Sequence, residues 1–114
     1  MDRLRKKKDF QRVFSSGRKH VLRYIILYAL PNSLDTIRLG LAVSKRVGNA
    51  VVRNRTKRVL REAMRLALRE ARAEGWNPEG CGHDIVLIPR RRCAGAKSTE
   101  IVPELAGKMK SCLK

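Results

Sequence analysis

Residues able to do acid–base or nucleophilic work are few and scattered in this 114-residue chain. Its ten carboxylates show no pairing that suggests proton transfer. Neither histidine, His20 or His83, has a nucleophile beside it. Asp84 follows His83, but neighbours in a strand point to opposite faces, so the two read as a strand-edge pair. No glycine loop has a phosphate-cradling pattern. Cys81, Cys93 and Cys112 are odd in number and fit no zinc spacing, so a metal site built on Cys81, His83 and Cys93 is disfavoured. Disulfides are not expected either, and small buried or idle thiols fit better. What remains is recognition of anions.

Lys and Arg number 27 against 10 acids, for a formal net charge of +17. Self-repulsion at that charge opposes compaction, so an anionic partner is expected. Much of the excess is Arg, whose planar fork suits phosphates and base edges, which favours nucleic acid over an anionic membrane. The charge concentrates in one place. Projected at 100° per residue, the segment after Asn49 gathers Val52, Val59, Leu60, Ala63, Leu66 and Ala67 on one face. Nearly opposite lie Asn54, Arg58, Arg61, Arg65, Arg69 and Arg72. Arg53 and Lys57 flank that stripe on one side and Arg55 on the other. Residues 51 to 73 hold eight basic side chains and two acids, Glu62 and Glu70. A merely solvated helix would mix signs for i,i+4 pairing, because like charges at that spacing repel. An anion-binding face explains the pattern better.

Several elements must position that face. Asp9 can cap a first helix over residues 10 to 16, with Gly17 placed to end it. Phe10 and Phe14, four apart, share one side of it. They are the only two phenylalanines. Each can be a core anchor, or a platform on which a base stacks for ~1–3 kcal/mol, and of the two Phe10 is the expected platform. Residues 20 to 30 read as a strand apolar on both faces, to be covered on both sides. A turn over residues 31 to 35 leads to a second strand, residues 37 to 44, expected to lie antiparallel to the first because the connection is short. Asn49 caps a long helix, residues 50 to 73, closed by Gly75 and Pro78. Residues 83 to 89 form a third strand. Ser98 or a neighbour opens a last helix, where Pro103 is acceptable only in the first turn. The order is α-β-β-α-β-α, a single domain over residues 1 to 114 and a two-layer α/β (α+β) sandwich.

The run Lys45-Arg46-Val47-Gly48-Asn49-Ala50-Val51-Val52-Arg53-Asn54-Arg55-Thr56-Lys57-Arg58 resembles the signature helix of the bacterial ribonuclease P protein family. Asp9-Phe10-Gln11-Arg12-Val13-Phe14, ending at Gly17, resembles that family's first helix. Arg38-Leu39-Gly40-Leu41-Ala42-Val43-Ser44 resembles the strand entering the signature, and Asp84-Ile85-Val86-Leu87-Ile88-Pro89 the strand after it. Together these cover most of residues 9 to 90, in the family's order.

The resemblance implies an unusual left-handed βαβ crossover around the Arg-rich helix, where right-handed is the default. It implies a protein that binds a large catalytic RNA and with it removes the 5′ leader of precursor tRNA. The scissile chemistry would belong to the RNA and its Mg2+ ions, with no catalytic residue, cofactor or metal in the protein itself. By the same resemblance Arg53, Asn54, Arg55, Lys57, Arg58 and Arg61 contact the catalytic RNA or sit near the substrate, and Arg65, Lys45 and Arg46 join them. A cleft between the first helix and the sheet would hold the single-stranded leader, with Phe10, Phe14 and Tyr28 on its walls.

The partners expected are therefore the catalytic RNA and precursor tRNA, with no obligate protein partner. No membrane is expected: the longest apolar run, residues 24 to 30, is too short to span a bilayer. The basic start is followed by no apolar segment, so a cytoplasmic location is the default. Two other readings keep an RNA or DNA partner, a structural RNA-binding protein such as a small ribosomal protein and a major-groove DNA module. The single long helix lacks the tightly turned partner helix of the latter. Residues beyond 97 match the family pattern loosely and carry no assigned function.

Overall fold

Five strands form one mixed sheet in the computed structural model, which describes residues 1–75 and 82–112. In chain order the elements are β1 (Asp2–Arg3), α1 (Lys7–Ser16), β2 (Arg18–Val21), β3 (Ile25–Pro31), β4 (Ile37–Leu41), α2 (Ala50–Ala73), β5 (His83–Pro89) and α3 (Ser98–Cys112). Across the sheet the order is β1-β4-β5-β3-β2. This is the expected α/β order with a two-residue edge strand added and the first strand divided.

That division corrects the single strand expected over residues 20 to 30. β2 and β3 pair antiparallel, Arg18 opposite Ala29 and Val21 opposite Ile26. The reversal at residues 22–24 contains no Gly or Pro and is held from elsewhere. The Tyr24 N–H donates to the Glu104 carboxylate of α3 at 3.2 and 3.3 Å, and Arg90 donates to the Leu22 carbonyl at 2.9 Å. Burial pushes the Glu104 carboxyl up in pKa, against these backbone hydrogen bonds.

The second strand is shorter than expected and is not a neighbour of the first. β4 runs parallel to β5, Ile37 opposite His83 and Leu41 opposite Leu87, while β3 pairs antiparallel with β5. A short connection fixes direction but not adjacency, and β5 fills the space between them. β5 is thus a central strand. Ile85, Val86 and Leu87 are all fully buried, as befits a strand covered on both faces. His83 and Asp84 are accordingly buried inside the sheet and are not a strand-edge pair.

Alternation along the strands builds two cores. Leu27 and Ala29 of β3, with Ile85 and Leu87 of β5, pack under Leu60, Met64 and Ala67 of α2 and Ile101 and Leu105 of α3. The alternate residues, Tyr28 and Leu30 with Val86 and Ile88, meet Val13 and Phe10 of α1 on the opposite face. Burying Leu or Ile side chains of this kind contributes ~1.5–3 kcal/mol each.

Three local expectations need correction. Helix α1 starts at Lys7, with Lys6 at the cap position and no side-chain cap, so Asp9 is not the cap. It lies instead in the first turn, where a carboxylate favours the helix dipole, and reaches Arg12 at 3.4 Å. Pro103 lies inside α3, the sixth residue from Ser98 and past the first turn. The buried face of α2 is Thr56, Leu60, Ala63, Met64, Ala67, Leu68 and Ala71, leaving Val52, Val59 and Leu66 only half-buried. The apolar stripe is thus rotated from the projected one by roughly two-thirds of the angle between successive residues. Gly75, with φ 93°, follows α2 as expected, while Pro78 and Cys81 lie outside the described residues.

Candidate nucleic-acid interface

Helix α2 carries the charge, and its start is tightly specified. Lys45–Val47 form one 3-10 turn, after which Gly48 takes φ 155° and ψ −166°. That region is essentially restricted to glycine. A Cβ there would also fall 2.8 Å from the Val52 side chain. Asn49 then caps α2, its side-chain oxygen accepting from the Val52 N–H at 3.0 Å.

From this start the basic residues fan out. Asn54, Arg55, Arg58, Arg65, Arg69 and Arg72 are exposed, and Lys57 and Arg61 are half-buried. Arg65 is the one hydrogen-bonded to an acid: it grips Glu62 through two bonds of 3.1 and 2.6 Å. The hydrogen bond from Arg65 holds the Glu62 carboxyl below its ordinary pKa. Arg58, Arg61, Arg69 and Arg72 have no ion pair among the described residues. Arg53 differs. It sits 7 and 18 residues before Leu60 and Ala71, so it shares their inward angle. It is half-buried, and its Nε has no hydrogen-bond partner.

The aromatic residues meet on the other side of the sheet. Phe14 stands edge-on to Tyr28, with ring centroids 5.1 Å apart and planes at 85°, and Phe10 lies 6.5 Å from Phe14. Such T-shaped geometry is favourable and leaves ring faces free. The two Phe residues are unequal. Phe14 is 40% exposed. Phe10 lies across Gly40 of β4, where a Cβ would come within 2.7 Å of its ring. Phe14 is thus the more open ring and Phe10 the more anchored one, the reverse of the order expected from sequence.

Along the same sheet face the floor continues through Ile26 and Ile88 into a recess of about 460 Å³, rimmed by Arg46, Arg90, Arg91 and Arg92. The structure thus brings Arg46 to the aromatic side of the sheet, away from the row on α2. In the sequence the signal for this rim is the run of three consecutive arginines at 90–92.

A second unforeseen feature holds α1 in place. Asp84, fully buried in β5, accepts from Arg38 of β4, Asn32 and Arg12 of α1. A lone acid at the head of the apolar run 85–89 was the available signal. Cys93 is buried, and burial, with Glu104 adding to it, pushes its thiol up to about 11, so it is no nucleophile.

Among the described residues no helix is long and apolar enough to cross a membrane. A sequence model of the family described as Ribonuclease P matches residues 1–112. The ribonuclease P protein component of Dehalococcoides mccartyi is 39% identical over 110 residues, covering 94% of this chain and 83% of that protein. That of Natranaerobius thermophilus is 43% identical over 90 residues, covering 78% and 70%. Among solved structures, the ribonuclease P protein of Staphylococcus aureus superposes with a TM-score of 0.76 at 29% identity, over 100% of this chain and 99% of that one. The Thermotoga maritima protein superposes with a TM-score of 0.75 at 30% identity, over 97% of both chains. Matched along nearly its whole length in sequence and in fold, the chain belongs to the ribonuclease P protein family.

Proposed function

We propose that this protein binds the catalytic RNA of ribonuclease P along α2 and the 5′ leader of precursor tRNA between α1 and the sheet. It thereby assists removal of the leader to give mature tRNA 5′ ends. The observation that carries this reading is the row Arg58, Arg61, Arg69 and Arg72, without an ion pair among the described residues, on one helix of a chain with net charge +17. Phosphate contacts by such a row position an RNA without reading its sequence.

Phe14 and Tyr28 supply stacking surfaces for unpaired bases, and Arg46 lies at the far end of the same face for backbone phosphates. Since mature tRNA has no leader, this contact favours substrate over product. Scissile chemistry and its Mg2+ ions stay with the RNA.

Reconstitution is the test: the protein is added to a bacterial ribonuclease P RNA and precursor-tRNA cleavage is followed. Stimulated cleavage at low magnesium, growing with leader length, supports the reading. Co-purification of ribosomal RNA or DNA, with no stimulation, would replace it by a ribosomal or DNA-binding role.

A further inference from the structure

Strand β1 covers only part of the β4 edge. Asp2 and Arg3 lie opposite Arg38 and Leu39, and the Leu4 N–H closes the ladder on the Leu39 carbonyl at 2.9 Å. Beyond that point Gly40 and Leu41 have no strand beside them on this side among the described residues. A cavity of about 570 Å³ opens there, between the β4 edge and α2. Its floor is apolar, formed by Leu4, Leu39, Leu41 and the ring of Phe10. Its rim is predominantly cationic, with Lys57, Arg58, Arg61 and Arg65 on α2 and Arg3 beside Asp2 on β1. Glu62, the one acid of α2 at this rim, is already engaged by Arg65.

We infer that this cavity is a binding site for one unstacked nucleotide of the RNA that lies along α2. A bare phosphate would need only the cations, and an apolar ligand only the floor. A nucleotide presents both chemistries, a flat base with π-faces and an anion attached to it. The volume is ample for one nucleotide. Gly40 makes the wall possible, because any side chain there would push the Phe10 ring off the strand edge. A base lying on Leu39, Leu41 and Phe10 can also meet the peptide groups of the uncovered edge, while its phosphate reaches Arg58 and Arg61. Extruded bases held on apolar and aromatic side chains in this way are a general mode of RNA recognition.

This inference rests on RNA binding by α2, and its test is separable from that reading. The full-length protein, carrying labelled Leu methyl groups, Arg side chains and aromatic rings, is titrated with adenosine 5′-monophosphate and, in parallel, with ribose 5-phosphate. The mononucleotide is expected to shift the Leu39 and Leu41 methyl resonances saturably, whereas ribose 5-phosphate shifts only Arg58 and Arg61. Leu41→Trp, which fills the floor, should weaken the mononucleotide about tenfold or more and leave ribose 5-phosphate unchanged. If that variant fails to fold, the wild-type comparison decides alone. Equal responses to the two ligands, shifts confined to Phe14 and Tyr28, or no response to millimolar mononucleotide would each overturn the site. Any of these in protein that still stimulates cleavage in the reconstituted holoenzyme removes the cavity and leaves the proposed function standing.

Discussion

Arg38 grips Asp84 with both ends of its guanidinium, Nε donating to Oδ1 at 2.7 Å and Nη2 to Oδ2 at 2.6 Å. Two further donors complete the shell, Asn32 at 2.8 Å and Arg12 at 3.0 Å. Burial raises the carboxyl pKa, but these hydrogen bonds and the Arg38 charge outweigh it and hold Asp84 below its ordinary value. Arg12 belongs to α1, so the buried charge also seats the helix that carries Phe10 and Phe14.

Asp84→Asn is expected to destabilise the fold by ~3 kcal/mol, since it leaves Arg38 without its counter-charge in a largely buried setting. A folded pKa below the unfolded one means that stability from Asp84 is complete above about pH 4. It fades as pH falls through the lower folded value. Melting temperature measured from neutral to acid pH should therefore drop on acidification in the native protein and much less in the variant. Parallel curves would show that the network contributes nothing through ionisation.

Arg58→Ala and Arg61→Ala should each flatten the salt dependence of RNA binding by about 0.7 to 0.9 in slope, one phosphate contact apiece. Lys110→Ala should not, because that lysine lies on α3 and is paired with Glu74. Titrations at several salt concentrations check this. Equal slopes lost at all three positions would mean diffuse attraction with no defined face.

Phe14→Ala is expected to cost precursor binding ~1–3 kcal/mol while mature tRNA binding stays nearly unchanged. Phe10→Ala should behave otherwise, because its ring is packed on Gly40. Part of the ~3–5 kcal/mol typical of deleting a buried Phe should appear as lost folding stability. Affinity for precursors with and without leaders, measured beside thermal melting, separates the two. A sharp melting loss for Phe14→Ala, with both RNAs bound equally poorly, would make Phe14 the anchor.

Gly48→Ala should cost ~1–3 kcal/mol of stability, because φ 155° is strained for any side chain and its Cβ strikes Val52. Denaturant unfolding measures it. A neutral substitution would show that the turn before α2 relaxes freely.

The elements that sequence revealed were those written in local periodicity. Asn49 capping a 24-residue helix and its basic row are read from neighbouring residues alone. Three things were hidden because their causes lie far away in the chain. The break at residues 22–24 is held by Glu104 and Arg90, some 70 to 80 residues later. The place of β5 between β3 and β4 is a property of the whole sheet. The cavity beside α2 needs β1, whose two residues are too few to carry any pattern. The inward angle of Arg53 was missed for another reason: the projection weighted Val52 and Val59, while the true buried face turns on Thr56, Met64 and Ala71. For the aromatic residues, spacing put Phe10 and Phe14 on one side. The contact of Phe10 with Gly40, set by the fold, reversed their expected order.

The vacancy that β5 fills has a consequence for how the chain assembles. β3 and β4 are joined by only five residues, yet they stand two strand spacings apart, roughly 10 Å. The obvious hairpin must therefore be forgone, and a slot kept open until some forty later residues have been made and α2 has crossed the sheet. During synthesis from the ribosome the arginine-bearing helix emerges before the strand that will anchor it. Closure of the sheet becomes a late, long-range event of the kind that slows folding. Premature zipping of β3 onto β4 would close that slot, and a chain stopped short of residue 83 has no sheet centre to close.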